Sequence, residues 1–107
     1  MQAGLVQKLS AKLNGDQRSQ LRGLAHGLKP VVQVGHAGAT EMVARQLDVA
    51  LYDHELVKVK VLNNYEGELD DVAVALCEAT GSACVQQIGR VLLFYRANPD
   101  APVIELV

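Results

Sequence analysis

The sequence predicts one α/β domain with elements in the order α-β-α-β-α-β-β, with partly parallel strand pairing and an antiparallel hairpin at its end. Three patterns carry that expectation. Apolar residues recur at helical spacing in three separate segments. Leu56-Val57-Lys58-Val59-Lys60-Val61 alternates with period two. Two further strand-like runs flank the dipeptide Gly89-Arg90, the spacing of a tight hairpin. A length of 107 residues suits one domain, and a chain that is 50% apolar can build a core.

Residues 1–12 read as a lead-in, loosely ordered or holding a short helix over Leu5–Leu9, ahead of a domain spanning 13–107. Asn14 and Gln17 have the spacing of a capping box. Leu21, Leu24, Ala25 and Leu28 then form the apolar stripe of a first helix, about residues 15–26. Gly27 is expected just past its end, closed by Lys29-Pro30. Val31-Val32-Gln33-Val34 is a short β-branched strand. Ala39 or Thr40 caps a second helix that ends near Asp53-His54, with Met42, Val43, Leu47, Ala50 and Leu51 as its stripe. In the alternating strand, Val57, Val59 and Val61 face one way and Lys58 and Lys60 the other. Asn63 to Gly67 is a loop. A third helix runs from about Glu68 to Thr80 and stops at Gly81. Leu69, Val72, Ala73, Leu76 and Cys77 form its apolar face, with Asp70, Asp71 and Glu78 opposite. Ala83–Ile88 and Val91–Arg96 make the hairpin. Val103–Leu106 is a short edge strand or a tail.

Several function classes are set aside by composition. No apolar run approaches the roughly 18 residues of a membrane span. Met1 to Val6 shows no basic segment followed by an apolar core, so a cytoplasmic protein without a membrane partner is expected. Cys77 and Cys84 make neither a disulfide framework nor a zinc cluster and read as reduced core residues. His26, His36 and His54 lack metal-ligand spacing, so neither metal nor cofactor is expected. His26 and His54 suit helix ends. The net charge of −2 argues against nucleic acid taken whole. Its distribution is different: residues 1–35 carry Lys8, Lys12, Arg18, Arg22 and Lys29 against Asp16, and the acids follow later.

Gly35-His36-Ala37-Gly38 joins a buried strand to a capped helix. A glycine lacks Cβ, so a phosphate backbone can come close. The helix behind it offers unpaired N–H groups and a partial positive charge. A GxxG loop of this kind clamps nucleic acid in KH domains. By itself, the spacing also fits a plain strand-to-helix bend. It matches neither dinucleotide nor P-loop fingerprints.

The flanks add to this. Leu21 through Gly38, containing Leu28-Lys29-Pro30-Val31-Val32-Gln33-Val34-Gly35, resembles the opening of the YhbY family of single CRM-domain proteins. His54 through Val61, Thr80-Gly81, Val85 through Arg90 and Leu92 through Arg96 match the same family. The resemblance covers about residues 13–96. It implies an α/β fold with a four-stranded mixed sheet and three helices, similar to the C-terminal domain of translation initiation factor three. It also implies RNA binding rather than catalysis, with Gly35, His36, Ala37 and Gly38 as the contacting loop. The partner it implies is ribosomal RNA or precursor large ribosomal subunits, and assembly of that subunit is the expected task. Related CRM domains in plant organelles act in group II intron splicing. The chain departs from its relatives in charge, with no cation inside the loop and a less basic first helix.

Arg18, Arg22 and Lys29 precede the loop and are candidates to flank a phosphate path, as are Lys58 and Lys60 on one sheet face. Arg90 and Arg96 are weaker candidates. Tyr65 and Tyr95 suit packing or base stacking. A monomer is the expected state. Two other functions compete: a protein-interaction module using the acidic face around Glu66 to Glu78, and an enzyme using Cys77 or Cys84 with a histidine. The second is disfavoured, because Cys77 falls on an apolar stripe and no histidine is near in sequence.

Overall fold

The computed structural model describes residues 3–107; Met1 and Gln2, part of the expected lead-in, lie outside it. A seven-residue helix, α1 (Ala3–Leu9), opens the chain, and Leu9 packs against the main core. The α-β-α-β-α-β-β order follows: α2 (Gly15–Leu24), β1 (Val32–Val34), α3 (Glu41–His54), β2 (Leu56–Val61), α4 (Leu69–Thr80), β3 (Ala83–Ile88) and β4 (Val91–Tyr95). The three expected domain helices are α2, α3 and α4, and α1 lies in the lead-in, which was read as loosely ordered or holding a short helix.

The strands form one mixed sheet in the order β1-β2-β4-β3. β1 runs parallel to β2, and the other neighbours are antiparallel. A parallel pair needs a crossover, and α3 supplies it. One sheet face carries Val32, Val34, Val57, Val59, Val61, Leu92 and Phe94, buried under α3 and α4. The opposite face is covered over half its length. There Leu56, Leu93, Tyr95 and Val85 meet Leu21 and Ala25 of the α2 segment and Ile104 and Leu106 of the tail. A register shift between Cys84 and Gln86 turns Val85 onto this second face.

Local signals explain the element ends. Asn14 accepts from the Gln17 N–H at 2.8 Å, and the Gln17 side chain accepts from the Asn14 N–H at 3.0 Å. The Thr40 hydroxyl caps α3 by accepting from the Val43 N–H. Gly81 (φ +67°) ends α4, and Gly89 (φ +57°) turns the two-residue hairpin.

Some sequence expectations give way. α2 stops at Leu24 and tightens into a 3-10 turn over Ala25–Gly27, so Gly27 is not a left-handed cap. That tightening rotates Leu24 and Leu28 outward, and both are exposed. Met42 is 70% exposed, because Leu47 and Leu51 set the seam of α3 and Met42 falls outside it. β1 starts at Val32 rather than Val31, and β4 ends at Tyr95 before Arg96. Val103–Leu106 forms no strand. The tail lies along α2, where Gln20 bonds the backbone of Glu105 and Val107.

A buried Glu55 holds the tail. Its carboxylate accepts from the backbone N–H groups of Asn98, Val103 and Ile104 at 2.7–2.9 Å. Burial opposes ionisation of this carboxyl, but the three donors outweigh it, so its pKa lies below the ordinary glutamate value. Glu55 also takes a positive φ of 64° to close α3.

Candidate nucleic-acid interface

β1 delivers the chain to the Gly35–Gly38 turn at the end of the sheet. The Gly38 N–H bonds the Gly35 carbonyl at 3.0 Å, and the Thr40 N–H bonds the Gly38 carbonyl at 2.9 Å. Gly38 is buried and left-handed (φ +77°), and a Cβ there would stand 3.0 Å from Cε1 of Tyr65. Gly35 differs: its φ is ordinary, and an added Cβ would meet no atom within 4 Å. The fold thus demands glycine at 38 and not at 35.

The neighbouring 62–67 segment braces the turn. The Leu62 N–H bonds the Val34 carbonyl at 2.8 Å. The Tyr65 ring packs against the Cα positions of both Gly38 and Gly67, where Cβ atoms would collide with it. Nδ1 of His36 lies 3.3 Å from the Asn64 carbonyl. A carbonyl only accepts, so Nδ1 carries the proton and Nε2 is the ring nitrogen left over. The Arg90 guanidinium donates to the carbonyls of Val61, Leu62 and Tyr65 at 3.0–3.1 Å. Arg90 and Tyr65 therefore position the loop. Nothing in local sequence pattern marks Arg90 for this, because its acceptors lie about 25–29 residues away.

The cations fall into separate groups. Lys60 pairs with Gln33 across the β1–β2 ladder, one step from the turn, and is exposed with no partner among the described residues. Lys58 shares its face and donates to the Leu28 carbonyl at 3.0 Å. Lys29 is exposed before β1. Arg22 sits beside Val85, Gln86 and Gln87 at the far edge of the sheet. Arg18 is turned inward, bonding the carbonyls of Ser10 and Leu13, and holds the α1–α2 connection. Arg96 is likewise engaged, with Asp48 and Thr80. Lys58 and Lys60 share the sheet face beside the turn, Arg22 borders that face at Gln86, and Arg18 is engaged in the α1–α2 connection.

Both thiols are buried. Burial pushes Cys77 up to about 11 and, with Cys77 beside it, Cys84 up to about 12. Thiolate, the nucleophilic form, is scarce at neutral pH in either residue. Tyr95 is a core residue. Among the described residues, no helix is long and apolar enough to cross a membrane.

Residues 13–96 match the CRS1 / YhbY (CRM) domain model. The chain belongs to the CRM-domain family. The matched CRM span contains the whole sheet and the Gly35–Gly38 turn, and leaves α1 and the Glu55-bound tail outside it. The chain is 40% identical over 94 residues to a Bacillus subtilis protein named "Probable RNA-binding protein YqeI", covering 88% of this chain and 98% of that one. It is also 40% identical over 91 residues to a Haemophilus influenzae protein named "RNA-binding protein", covering 85% and 92%. Its fold superposes on the solution structure of SAV1595 from Staphylococcus aureus with a TM-score of 0.75 and 40% identity, covering 89% of this CRM chain and 99% of the other.

Proposed function

We propose that this protein is a non-catalytic, cytoplasmic RNA-binding module that holds an RNA backbone at Gly35–Gly38. Its RNA is ribosomal RNA or a precursor of the large ribosomal subunit, and its task is to assist assembly of that subunit. The observation that carries the reading is Gly35. No backbone angle and no neighbouring atom calls for glycine there, yet it leaves bare main chain at an exposed turn ahead of a helix N-terminus. Lys60 and Lys58 lie alongside to meet phosphates. The names of the relatives point the same way. The ribosomal assignment rests on the kinship with YhbY-like proteins.

Gly35→Asp is the direct test, since the fold tolerates a side chain there while a carboxylate repels phosphate. Affinity for single-stranded RNA falls by more than about tenfold, or about 1.4 kcal/mol. Crosslinking in cells recovers large-subunit precursor RNA with the wild type and not with the variant. Unchanged binding by Gly35→Asp would remove the loop from the interface. Protein capture that survives RNase would favour an interaction module on the acidic face around Glu66 to Glu78 instead.

A further inference from the structure

The half of the second sheet face that α2 leaves bare is not flat. Pro30, Lys58, Gln86, Ile88, Val91 and Leu93 enclose an open hollow of about 170 Å³. We propose that this hollow receives one unpaired nucleobase of the RNA strand whose backbone the Gly35–Gly38 loop holds, an inference that rests on the RNA-binding reading above.

Size and chemistry support that occupant. The volume is well below the about 300–1,000 Å³ of sites for drug-sized ligands. It suits a single planar ring, not a helix or a strand. The lining is apolar where the faces of a base would lie: the Pro30 ring, Val91, buried Leu93 and the side chain of Ile88. Ile88 is 66% exposed on an edge strand, a large apolar surface that the fold leaves without cover. The Lys58 ammonium is drawn to the Leu28 carbonyl, which lays its methylene stem along the wall. The Gln86 carboxamide has no hydrogen-bond partner among the described residues. A carboxamide donates and accepts side by side, as the edge of a base does.

The hollow also continues from the loop. β1 leads from Pro30 to Gly35, a run of five residues or roughly 17 Å. Gln33 and Lys60 lie between the two ends. A strand that leaves the loop with its phosphates over Lys60 passes the hollow with its bases turned toward the sheet. Sequence-specific RNA recognition takes place on such unstacked bases. A protein side chain would need no adjoining phosphate path.

The test uses Ile88→Gln and Gln86→Ala in the full chain, with thermal melts to show that both fold. The probes are oligouridine, oligoadenine and a matched RNA duplex, titrated over a salt series. Each variant binds single strands about three- to tenfold more weakly. The slope of log affinity against log salt stays at the wild-type value, because no cation is lost. Duplex binding is unchanged, and 4-thiouridine crosslinks fall within residues 86–93. Unchanged single-strand affinity, or crosslinks confined elsewhere, overturns the base site. If Gly35→Asp still loses RNA in that case, the loop reading stands alone. If Gly35→Asp also binds normally, both readings fall. Loss of an RNase-resistant protein partner on Ile88→Gln, with RNA affinity intact, would reassign the hollow to protein.

Discussion

Replacing Gly35 and Gly38 in turn by alanine separates the two uses of glycine in one loop. At Gly38 the left-handed φ costs an alanine about 1–2 kcal/mol. Its methyl would also sit 3.0 Å from the Tyr65 ring, so the ring must give way although it is packed closely against Gly67 as well. The change therefore lowers the melting temperature by about 5–15 °C, taking about 4–8 °C per kcal/mol for a domain near this size. At Gly35 the new methyl meets nothing and strains nothing. Restricting the unfolded chain then stabilises the fold by up to about 0.4–1 kcal/mol. Gly35→Ala melts at or above the wild-type temperature and yet binds RNA more weakly, since its methyl stands where the ligand backbone comes closest. Thermal and urea unfolding give the stabilities, and fluorescence anisotropy with oligouridine gives the affinities. Equal destabilisation by the two substitutions would refute the distinction between an internal glycine and an outward one.

Two further outcomes follow. Replacing Lys58 and Lys60 together by alanine lowers the magnitude of the salt slope for single-stranded RNA by about 1.4, at about 0.7 per phosphate contact; titrations across a salt series measure it, and an unchanged slope would take both lysines off the phosphate path. Glu55→Gln removes a charged acceptor from three backbone donors of the tail and costs about 1.5–3 kcal/mol, read by urea unfolding. The folded carboxyl of Glu55 has a depressed pKa, so its contribution is complete above the ordinary glutamate value of about 4.3 and is lost as pH falls through the lower folded value. The wild type consequently loses stability in that acid window, and Glu55→Gln lacks this component of the loss.

Local chemistry made much of the fold legible. Asn14 with Gln17, Thr40, Gly81 and Gly89 each mark an element end by a mechanism that acts within a few residues. The alternation in β2 separates Val57, Val59 and Val61 from Lys58 and Lys60 because strand geometry leaves no other choice. The flanks of Gly35–Gly38, which resemble the YhbY family, mark the loop. What stayed hidden depends on contacts far apart in the chain. Arg18 is a nearer case: it looks like a surface cation until the connection between α1 and α2 turns back and offers it the carbonyls of Ser10 and Leu13, eight and five residues earlier. Glu55 looks like a solvated acid beside a histidine, and its three donors arrive about 43–49 residues later. Arg90 and Tyr65 become loop supports only once β4 lies against β2. Met42 shows the limit of composition, because an apolar residue one position off the Leu47–Leu51 seam points to water.

The sheet also resolves how a chain of net charge −2 can serve a polyanion. α3 and α4 carry Asp48, Asp53, Asp70, Asp71 and Glu78 on the layer behind the sheet, while Glu41, at the loop end of α3, is paired with Arg45 at 2.7 Å. Lys58 and Lys60 stand on the opposite face, with Lys29 at its start. A sheet and a helix layer stand between the two sets, and exposed charges further apart than about 8 Å are largely screened at physiological salt. The acids therefore act weakly on a strand lying across the lysine face, and whole-chain charge is a poor guide to this surface. The same geometry limits the electrostatic share. Three cations along the path give a salt slope of only about −2 for single-stranded RNA. Non-ionic contacts must supply the rest, and the two proposed here are bare main chain at Gly35 and an apolar hollow for a base.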